Sequence, residues 1–162
     1  MYYTDCRHHY TFRSGLIYSL MKHALRISAE IILLFNAFTA VYGGATLIAD
    51  PSGGLLQLPL SLLQHSAFRD FLIPGIFLFS TIGLFSLFLY ILMFIKKELY
   101  PFLLIIQGII IEVWIAVQVL SIPYRHFLQL FYSGIGILLI LIGLWQRLRS
   151  ARPMAKHELA TS

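Results

Sequence analysis

The sequence predicts an all-α membrane protein, an antiparallel bundle of four transmembrane helices. The prediction follows from composition, from four long apolar stretches and from the placement of the charges. Apolar residues make up 59% of the 162-residue chain and charged residues 12%, whereas soluble domains average about 45–50% and about 25%. A soluble protein of this composition would expose large apolar patches to water. A soluble globular domain is therefore excluded.

The four apolar stretches have the length of membrane spans. A helix needs roughly 20 residues to cross the hydrocarbon core of a bilayer. The sequence predicts a transmembrane domain over residues 27–146, with spans at about 25–49, 71–95, 99–119 and 127–145. The alternating apolar and polar pattern of a membrane β-barrel is absent. The second and third loops are short, which makes adjacent helices antiparallel neighbours.

Residues 1–26 precede the first span and are predicted to form a cytoplasmic leader. Phe12, Leu16, Leu20 and Ala24 recur at helical spacing among basic residues. Two alternatives fit this pattern, a short amphipathic helix at the membrane surface or a frayed leader. The apolar run that follows is longer than the core of about 7–15 residues in a cleaved signal peptide. The first span is therefore expected to remain as an anchor.

The connection over residues 50–70 is too apolar for an ordinary loop. It opens with Asp50-Pro51-Ser52-Gly53-Gly54, a run typical of sharp turns. The apolar run 55–63 that follows is too short to span a membrane. We expect it to lie in the outer interface or to dip into it, with a short helix beginning at Pro59. Pro74, near the outer end of the second span, is expected to kink that helix.

The basic residues predict the orientation in the membrane. Ten of them lie before the first span, between the second and third, or after the fourth, and two lie on the other side. The ten are Arg7, Arg13, Lys22, Arg26, Lys96, Lys97, Arg147, Arg149, Arg152 and Lys156, and the two are Arg69 and Arg125. The positive-inside rule then places both termini, including the basic tail 147–162, in the cytoplasm. We expect the membrane to be the inner (cytoplasmic) membrane. This topology explains the net charge of +5, and no segment offers the folded basic domain that a nucleic-acid partner requires.

Glu112 is the acidic residue in the spans without a local explanation. It lies about twelve residues into the third span, near the midplane by helical rise, where a charged group costs about 2.5–3.5 kcal/mol on insertion scales. It is either a proton-sharing or ligand-binding carboxylate, or a buried acid hydrogen-bonded to another helix. Asn36 lies at a similar depth and is its expected partner. Glu30, by contrast, lies four residues after Arg26 and is expected to pair with it.

A second polar stripe lies on another side of the third span. Gln107, Trp114 and Gln118 return to nearly the same helical face, so we expect this face to meet protein or a polar cavity. Together with Glu112 and Asn36, these residues form the predicted ligand-binding or buried polar cluster. Four charged residues are predicted on the outer side: Asp50, Arg69, Asp70 and Arg125. They either form a cluster over the mouth of the bundle or are ordinary solvated loop residues.

Motifs of common enzyme classes are missing from the sequence. It contains no Gly-rich phosphate loop, HExxH, CxxC or GxSxG. Cys6 is the sole cysteine, and His8 and His9 are adjacent, so they do not share a helix face for a metal. We therefore predict no catalytic residues, no metal site and no cofactor. The absence of these motifs favours a protein that is not an enzyme.

Several short stretches resemble one group of membrane proteins. They are Ala40-Val41-Tyr42-Gly43-Gly44, Asp50-Pro51-Ser52-Gly53, Phe68-Arg69-Asp70-Phe71-Leu72-Ile73-Pro74-Gly75, Trp114-Ile115-Ala116-Val117-Gln118 and Leu128-Gln129-Leu130-Phe131-Tyr132. Over roughly residues 30–145 the chain resembles small bacterial four-helix membrane proteins and is similar in size and layout to the DoxX-like group. The resemblance implies a link to respiratory or redox membrane complexes and carries over no catalytic residues.

Three functions follow as hypotheses. The first is a non-catalytic accessory or interaction protein, or one that binds a lipid-like ligand between its helices. The second is a small oligomeric transporter or proton-coupled permease in which Glu112 titrates. The third is a redox protein linked to quinone or lipid. The expected partners are the lipid bilayer and either further copies of the chain or a larger membrane complex.

Overall fold

The structure, a computed structural model, describes residues 5–64, 66–95, 98–121 and 127–150, with side chains from Ile17 onward and up to Arg149. It is an all-α bundle of four long helices: α1 (Asp5–Ala49), α2 (Leu72–Ile95), α3 (Tyr100–Ser121) and α4 (Phe127–Ser150). No strand occurs within the described ranges. We call the end where α1 and α3 finish and α2 and α4 begin the connection end. The opposite end, where α3 begins and α4 finishes, is the termini end.

All four helices are long and apolar enough to cross a membrane. Their outward faces carry large apolar side chains, such as Phe38, which is 76% exposed, and Leu120, which is 82% exposed. Side chains of this kind face lipid at little cost, whereas in water they would drive aggregation. The predicted four-helix transmembrane bundle is confirmed, and the protein is a small multi-pass membrane protein.

Helix α1 runs without interruption through the predicted boundary at residue 26. The sequence from Leu16 to Tyr42 contains neither proline nor glycine, so nothing ends the helix between the leader and the span. Among the residues whose side chains the structure describes, the candidate membrane span on α1 covers Ile17–Ala49. Helix α4 likewise continues past residue 145 into the basic tail, as far as Ser150.

Helix α2 changes its winding along its length. It is α-helical over Leu72–Phe77 and Phe85–Ile95, and between them Leu78–Leu84 forms a π-helical segment. Pro74 is the third residue of the helix, where the backbone N–H has no intrahelical acceptor in any case. The irregularity of α2 therefore lies in the π-helical segment rather than at a hydrogen bond that Pro74 removes.

The connection between α1 and α2 folds into a compact cap over the end of these two helices. Gly53 (φ 79°) and Gln57 (φ 54°) adopt left-handed conformations around one 3-10 turn, and a second 3-10 turn follows Pro59, as predicted. The Phe71 N–H donates to the Pro51 carbonyl at 2.9 Å, which brings the two ends of the connection together. Leu63 and Phe71 are buried against Leu47 of α1.

Glycines set the close packing within two helical hairpins. In the α1–α2 hairpin, a Cβ at Gly44 would lie 2.6 Å from the Phe79 backbone nitrogen. In the α3–α4 hairpin, a Cβ at Gly108 would lie 2.6 Å from the Gly136 carbonyl oxygen, and one at Gly143 would lie 2.5 Å from the Pro101 carbonyl oxygen. Small residues allow this approach of helix backbones in membranes.

Candidate functional site

Three buried polar side chains join α1, α2 and α3 at one level of the bundle. Ser86 Oγ accepts hydrogen bonds from Asn36 Nδ2 at 3.0 Å and from Gln107 Nε2 at 2.9 Å. All three side chains are fully buried. Each lies 13 or 14 residues from the connection end of its own helix, about 20 Å by helical rise. We call this group the polar centre.

The polar centre uses the irregular part of α2. Gln107 Nε2 also approaches the carbonyl oxygen of Ile82, at 3.4 Å, and Ile82 lies in the π-helical segment. Wider helical turns leave backbone carbonyls open to such additional donors. Within the described part of the chain, Asn36 Oδ1 and Gln107 Oε1 have no hydrogen-bond partner. The amide nitrogens therefore hold the helices together, while the two amide oxygens stay unpaired.

Glu112 lies outside the polar centre, in the packed interface between α3 and α4. Ser133 Oγ donates to Glu112 Oε2 at 3.0 Å. A Cβ at Gly136 would lie 2.5 Å from Glu112 Oε1, and this oxygen is buried without a partner among the described residues. Glu112 was the expected partner of Asn36, but Asn36 pairs with Ser86 instead. The geometry of Glu112 is that of the second alternative, an acid hydrogen-bonded to a neighbouring helix.

A cavity of about 180 Å³ opens between the four helices near the connection end, and we call it the connection-end cavity. Trp114 and Gln118 line it, so the predicted stripe on α3 faces protein and a cavity. Two further lining residues carry hydroxyls, Thr39 and Tyr132. The rest of the lining is apolar: Ala40, Leu78, Ile82, Ile111, Ile115 and Leu128.

Trp114 is the most buried of the polar side chains that line this cavity. Its ring stacks on Phe77, with centroids 4.9 Å apart, and the residue is 9% exposed. The indole Nε1 is buried and has no hydrogen-bond partner within the residues that the structure describes. An indole N–H can only donate, and buried donors are nearly always paired in folded proteins. The Trp114 indole N–H is therefore a buried donor without an acceptor among the described residues.

The predicted outer-mouth residues have local structural roles. Asp50 accepts hydrogen bonds from Ser52 Oγ at 2.5 Å and from the Leu55 N–H at 2.9 Å. These bonds, the Ser52 hydroxyl foremost, lower the pKa of the exposed Asp50 carboxyl. Asp70 Oδ1 accepts from the Leu72 N–H at 3.0 Å, in the turn that leads into α2. Among described residues no ion pair joins Asp50, Arg69 and Asp70, and Arg125 lies outside the described residues.

The predicted pair of Arg26 and Glu30 is confirmed. Arg26 Nε lies 2.9 Å from Glu30 Oε1, and Arg26 Nη2 donates to the Met93 carbonyl at 3.2 Å. In the described part of the chain, no three His, Cys, Asp or Glu side chains gather where they could hold a metal ion.

Sequence reasoning missed the serines that complete both polar contacts. Ser86 and Ser133 are serines within apolar stretches, and in a helix such a hydroxyl often bonds its own backbone. Their presence in the spans was the available signal, but their partners depend on the rotation of each helix.

No protein-family model, curated protein or solved structure matches the chain.

Proposed function

We propose that this membrane protein is a non-catalytic binding protein whose connection-end cavity holds part of a small, largely apolar ligand with a hydrogen-bond acceptor. The observation that carries the proposal is the unpartnered indole N–H of Trp114, on a residue that lines the cavity. A ligand carbonyl accepting from this N–H would remove the cost of leaving a buried donor unpaired.

The cavity lining defines the chemical class of the ligand. Trp114 donates only, and the Gln118 amide and the Tyr132 hydroxyl, which line the same cavity, can also donate. The rest of the lining is mostly aliphatic, which is typical of ligand pockets with a few orienting polar groups. Quinones and lipid esters combine an apolar body with carbonyl acceptors, and both fit this lining.

The size of the cavity and the exposure of one lining residue support a ligand drawn from the membrane. About 180 Å³ corresponds to roughly six waters at ~30 Å³ each, which suits one ring or a short chain segment. Leu128 lines the cavity and is 64% exposed on the outward face of α4. A ligand dissolved in the bilayer would therefore enter from the side, and its remaining chain would stay in lipid.

The proposal places the protein in the bacterial inner membrane with both termini in the cytoplasm. Ten basic residues lie on the side of the termini and two on the opposite side, and this difference supports the orientation. The DoxX-like resemblance supports an association with a respiratory or redox complex. In that association the chain would act as an accessory subunit or as an oligomer. A quinone-like ligand would suit such an association.

A transport role for Glu112 is the weaker proposal. Its carboxyl is held between α3 and α4 by Ser133 and is not part of the described lining of the connection-end cavity. A proton-coupled pathway through Glu112 would therefore need a route other than this cavity. A redox function of the chain itself would need a bound quinone, which the binding experiment below also addresses.

The test uses the intrinsic fluorescence of Trp114. The chain has two tryptophans, so the variant Trp145→Phe reports from Trp114 alone. We expect a short-chain benzoquinone to quench this fluorescence saturably in mild detergent. Gln118→Leu should weaken binding about fivefold, since one hydrogen bond contributes about 1 kcal/mol.

The matched control is Gly134→Ala, because a Cβ there meets nothing within 4 Å, and it should leave the binding curve unchanged. A second control reports from Trp145 in a Trp114→Phe variant. Quenching that does not saturate, or that is equal for the two tryptophans, would indicate partition of the quinone into the micelle and contradict the proposal.

A further inference from the structure

A second and larger cavity lies at the termini end, between α1, α3 and α4. Its volume is about 340 Å³, roughly eleven times the ~30 Å³ that one water takes up in the liquid. We call it the basic pocket. One face of α1, the start of α3 and the end of α4 supply its lining: Tyr18, Ser19, Lys22, His23, Arg26, Tyr100, Pro101, Trp145 and Gln146.

The charge of this pocket is one-sided. Lys22, His23 and Arg26 follow one another at helical spacing on α1, and no acidic side chain is among the described residues of the lining. Arg26 is already engaged by Glu30 and by the Met93 carbonyl. Lys22 and His23 are exposed, and no described carboxylate pairs with either. Lys22 therefore presents a positive charge to whatever enters the pocket.

Three aromatic side chains line the same pocket: Tyr18, Tyr100 and Trp145. The Tyr18 and Trp145 rings lie 5.9 Å apart, and Tyr100 is buried at the base of α3. Arg149 lies over the Trp145 ring at 5.9 Å. Arg147 lies over the Phe102 ring at 5.2 Å, and neither of these two residues lines the pocket. Aromatic rings mixed with basic side chains are typical of the level at which lipid headgroups meet the hydrocarbon.

We propose that the basic pocket binds the phosphate-bearing headgroup of an anionic phospholipid. Lys22 and His23 would attract the phosphate, and the hydroxyls of Tyr18 and Ser19 would donate to its oxygens. Ile17, Leu20 and Met21, on the same turns of α1, are exposed apolar side chains along which acyl chains can lie. Basic pockets between membrane helices on the cytoplasmic side suit such headgroups. This site is separate from the connection-end cavity and does not depend on the function proposed above.

Trp145 provides the test, because it lines the pocket. In a Trp114→Phe variant it is the one remaining tryptophan, and bromine atoms on lipid chains quench its fluorescence only at close range. We expect brominated phosphatidylglycerol to quench Trp145 more strongly than brominated phosphatidylcholine at equal mole fraction in vesicles. The phosphate is common to both lipids, so the difference reports on net headgroup charge.

Lys22→Gln should reduce this preference about fivefold, since one lysine near an anionic surface contributes about that factor. Arg147→Gln is the matched control, because it removes one positive charge at the same end but outside the pocket. An equal loss in both variants would mean that the whole basic surface attracts the lipid and would overturn the proposal. An absence of preference in the parent variant would overturn it as well.

Two further measurements test whether the pocket binds a lipid or a soluble anion. Native mass spectrometry of the unmodified protein should show phosphatidylglycerol retained at higher collision energy than phosphatidylcholine, and retention of neither would contradict a lipid site. Inorganic phosphate is the remaining probe. A response of Trp145 to phosphate in detergent, without a preference between the brominated lipids, would assign the pocket to a soluble anion and overturn the lipid assignment.

Discussion

Ser86 illustrates how much one hydroxyl does in an apolar environment. Its oxygen accepts from Asn36 of α1 and from Gln107 of α3 while its own backbone belongs to α2. Without it, two amide groups would remain in a dry region where no water replaces the lost acceptor. Gln107 retains the longer contact with the Ile82 carbonyl, so the loss falls mainly on Asn36.

We predict that Ser86→Ala lowers the free energy of unfolding by about 1–2 kcal/mol. Interhelical hydrogen bonds in membranes contribute about 0.6 kcal/mol on average and up to about 1.7, and two are lost here. The measurement is equilibrium unfolding in mixed micelles of a mild detergent and dodecyl sulfate. Ser80→Ala is the control, since Ser80 is exposed on the same helix and bonds only its own turn. Equal effects of both variants would refute the role of the polar centre.

At the scale of helices, the two glycine interfaces determine which neighbours pack most closely. On α4, Gly136 and Gly143 are seven residues apart, and they face Gly108 and Pro101, which are also seven apart on the antiparallel α3. The sequence shows the glycines but not this match, because the residues of α3 and α4 that face one another depend on the rotation of each helix. The α1–α2 interface likewise depends on which side of each helix turns inward.

We predict that Gly108→Ala destabilises the α3–α4 hairpin by about 1–3 kcal/mol, the usual cost of overpacking a tight interface. The added methyl would lie 2.6 Å from both the Gly136 carbonyl oxygen and Ile140 Cγ1, so the helices must separate. Gly134→Ala should leave stability unchanged or raise it by up to about 1 kcal/mol, because its methyl meets open space and alanine favours helix. Both are read from the same micelle titration, and a loss for Gly134→Ala as large as for Gly108→Ala would count against the interface.

The sequence predicts the helices better than it predicts the site. Length and hydropathy are properties of each segment, so the four spans, the Pro59 turn and the Arg26–Glu30 pair are all recovered. The polar contacts belong to pairs of helices, and their rotation is undetermined by periodicity when apolar residues surround the helix on all sides. For this reason Asn36 was expected beside Glu112, although each carries its own serine partner. The unbroken helix from Asp5 was missed because charge, rather than a helix breaker, suggested the boundary.

For the molecule as a whole, orientation links the two cavities to opposite sides of the membrane. The basic pocket lies at the termini end and the connection-end cavity near the other. If the termini face the cytoplasm, as the charge distribution predicts, the basic pocket meets the inner leaflet, where anionic headgroups attract basic residues. The apolar ligand would then enter through the outer leaflet.

We predict that both termini lie in the cytoplasm, and cysteine labelling tests this. In a Cys6→Ser background, Ser61→Cys in the exposed connection and Glu98→Cys before α3 each present one thiol. A membrane-impermeant maleimide added to spheroplasts should modify the first variant, and the second only after the membrane is opened. The reverse pattern would invert the topology, and modification of both without opening would indicate mixed orientations.

The glycine-packed hairpins also have a consequence for how the chain is made. Helix α2 packs on α1 through Gly44, Gly75 and Gly83, and these contacts need nothing that is synthesised later. The first hairpin is therefore able to close at the translocon while α3 is still inside the ribosome, and the second hairpin can do the same in turn. We expect the docking of Gln107 onto Ser86 to follow as the late step that joins the two hairpins within the bilayer.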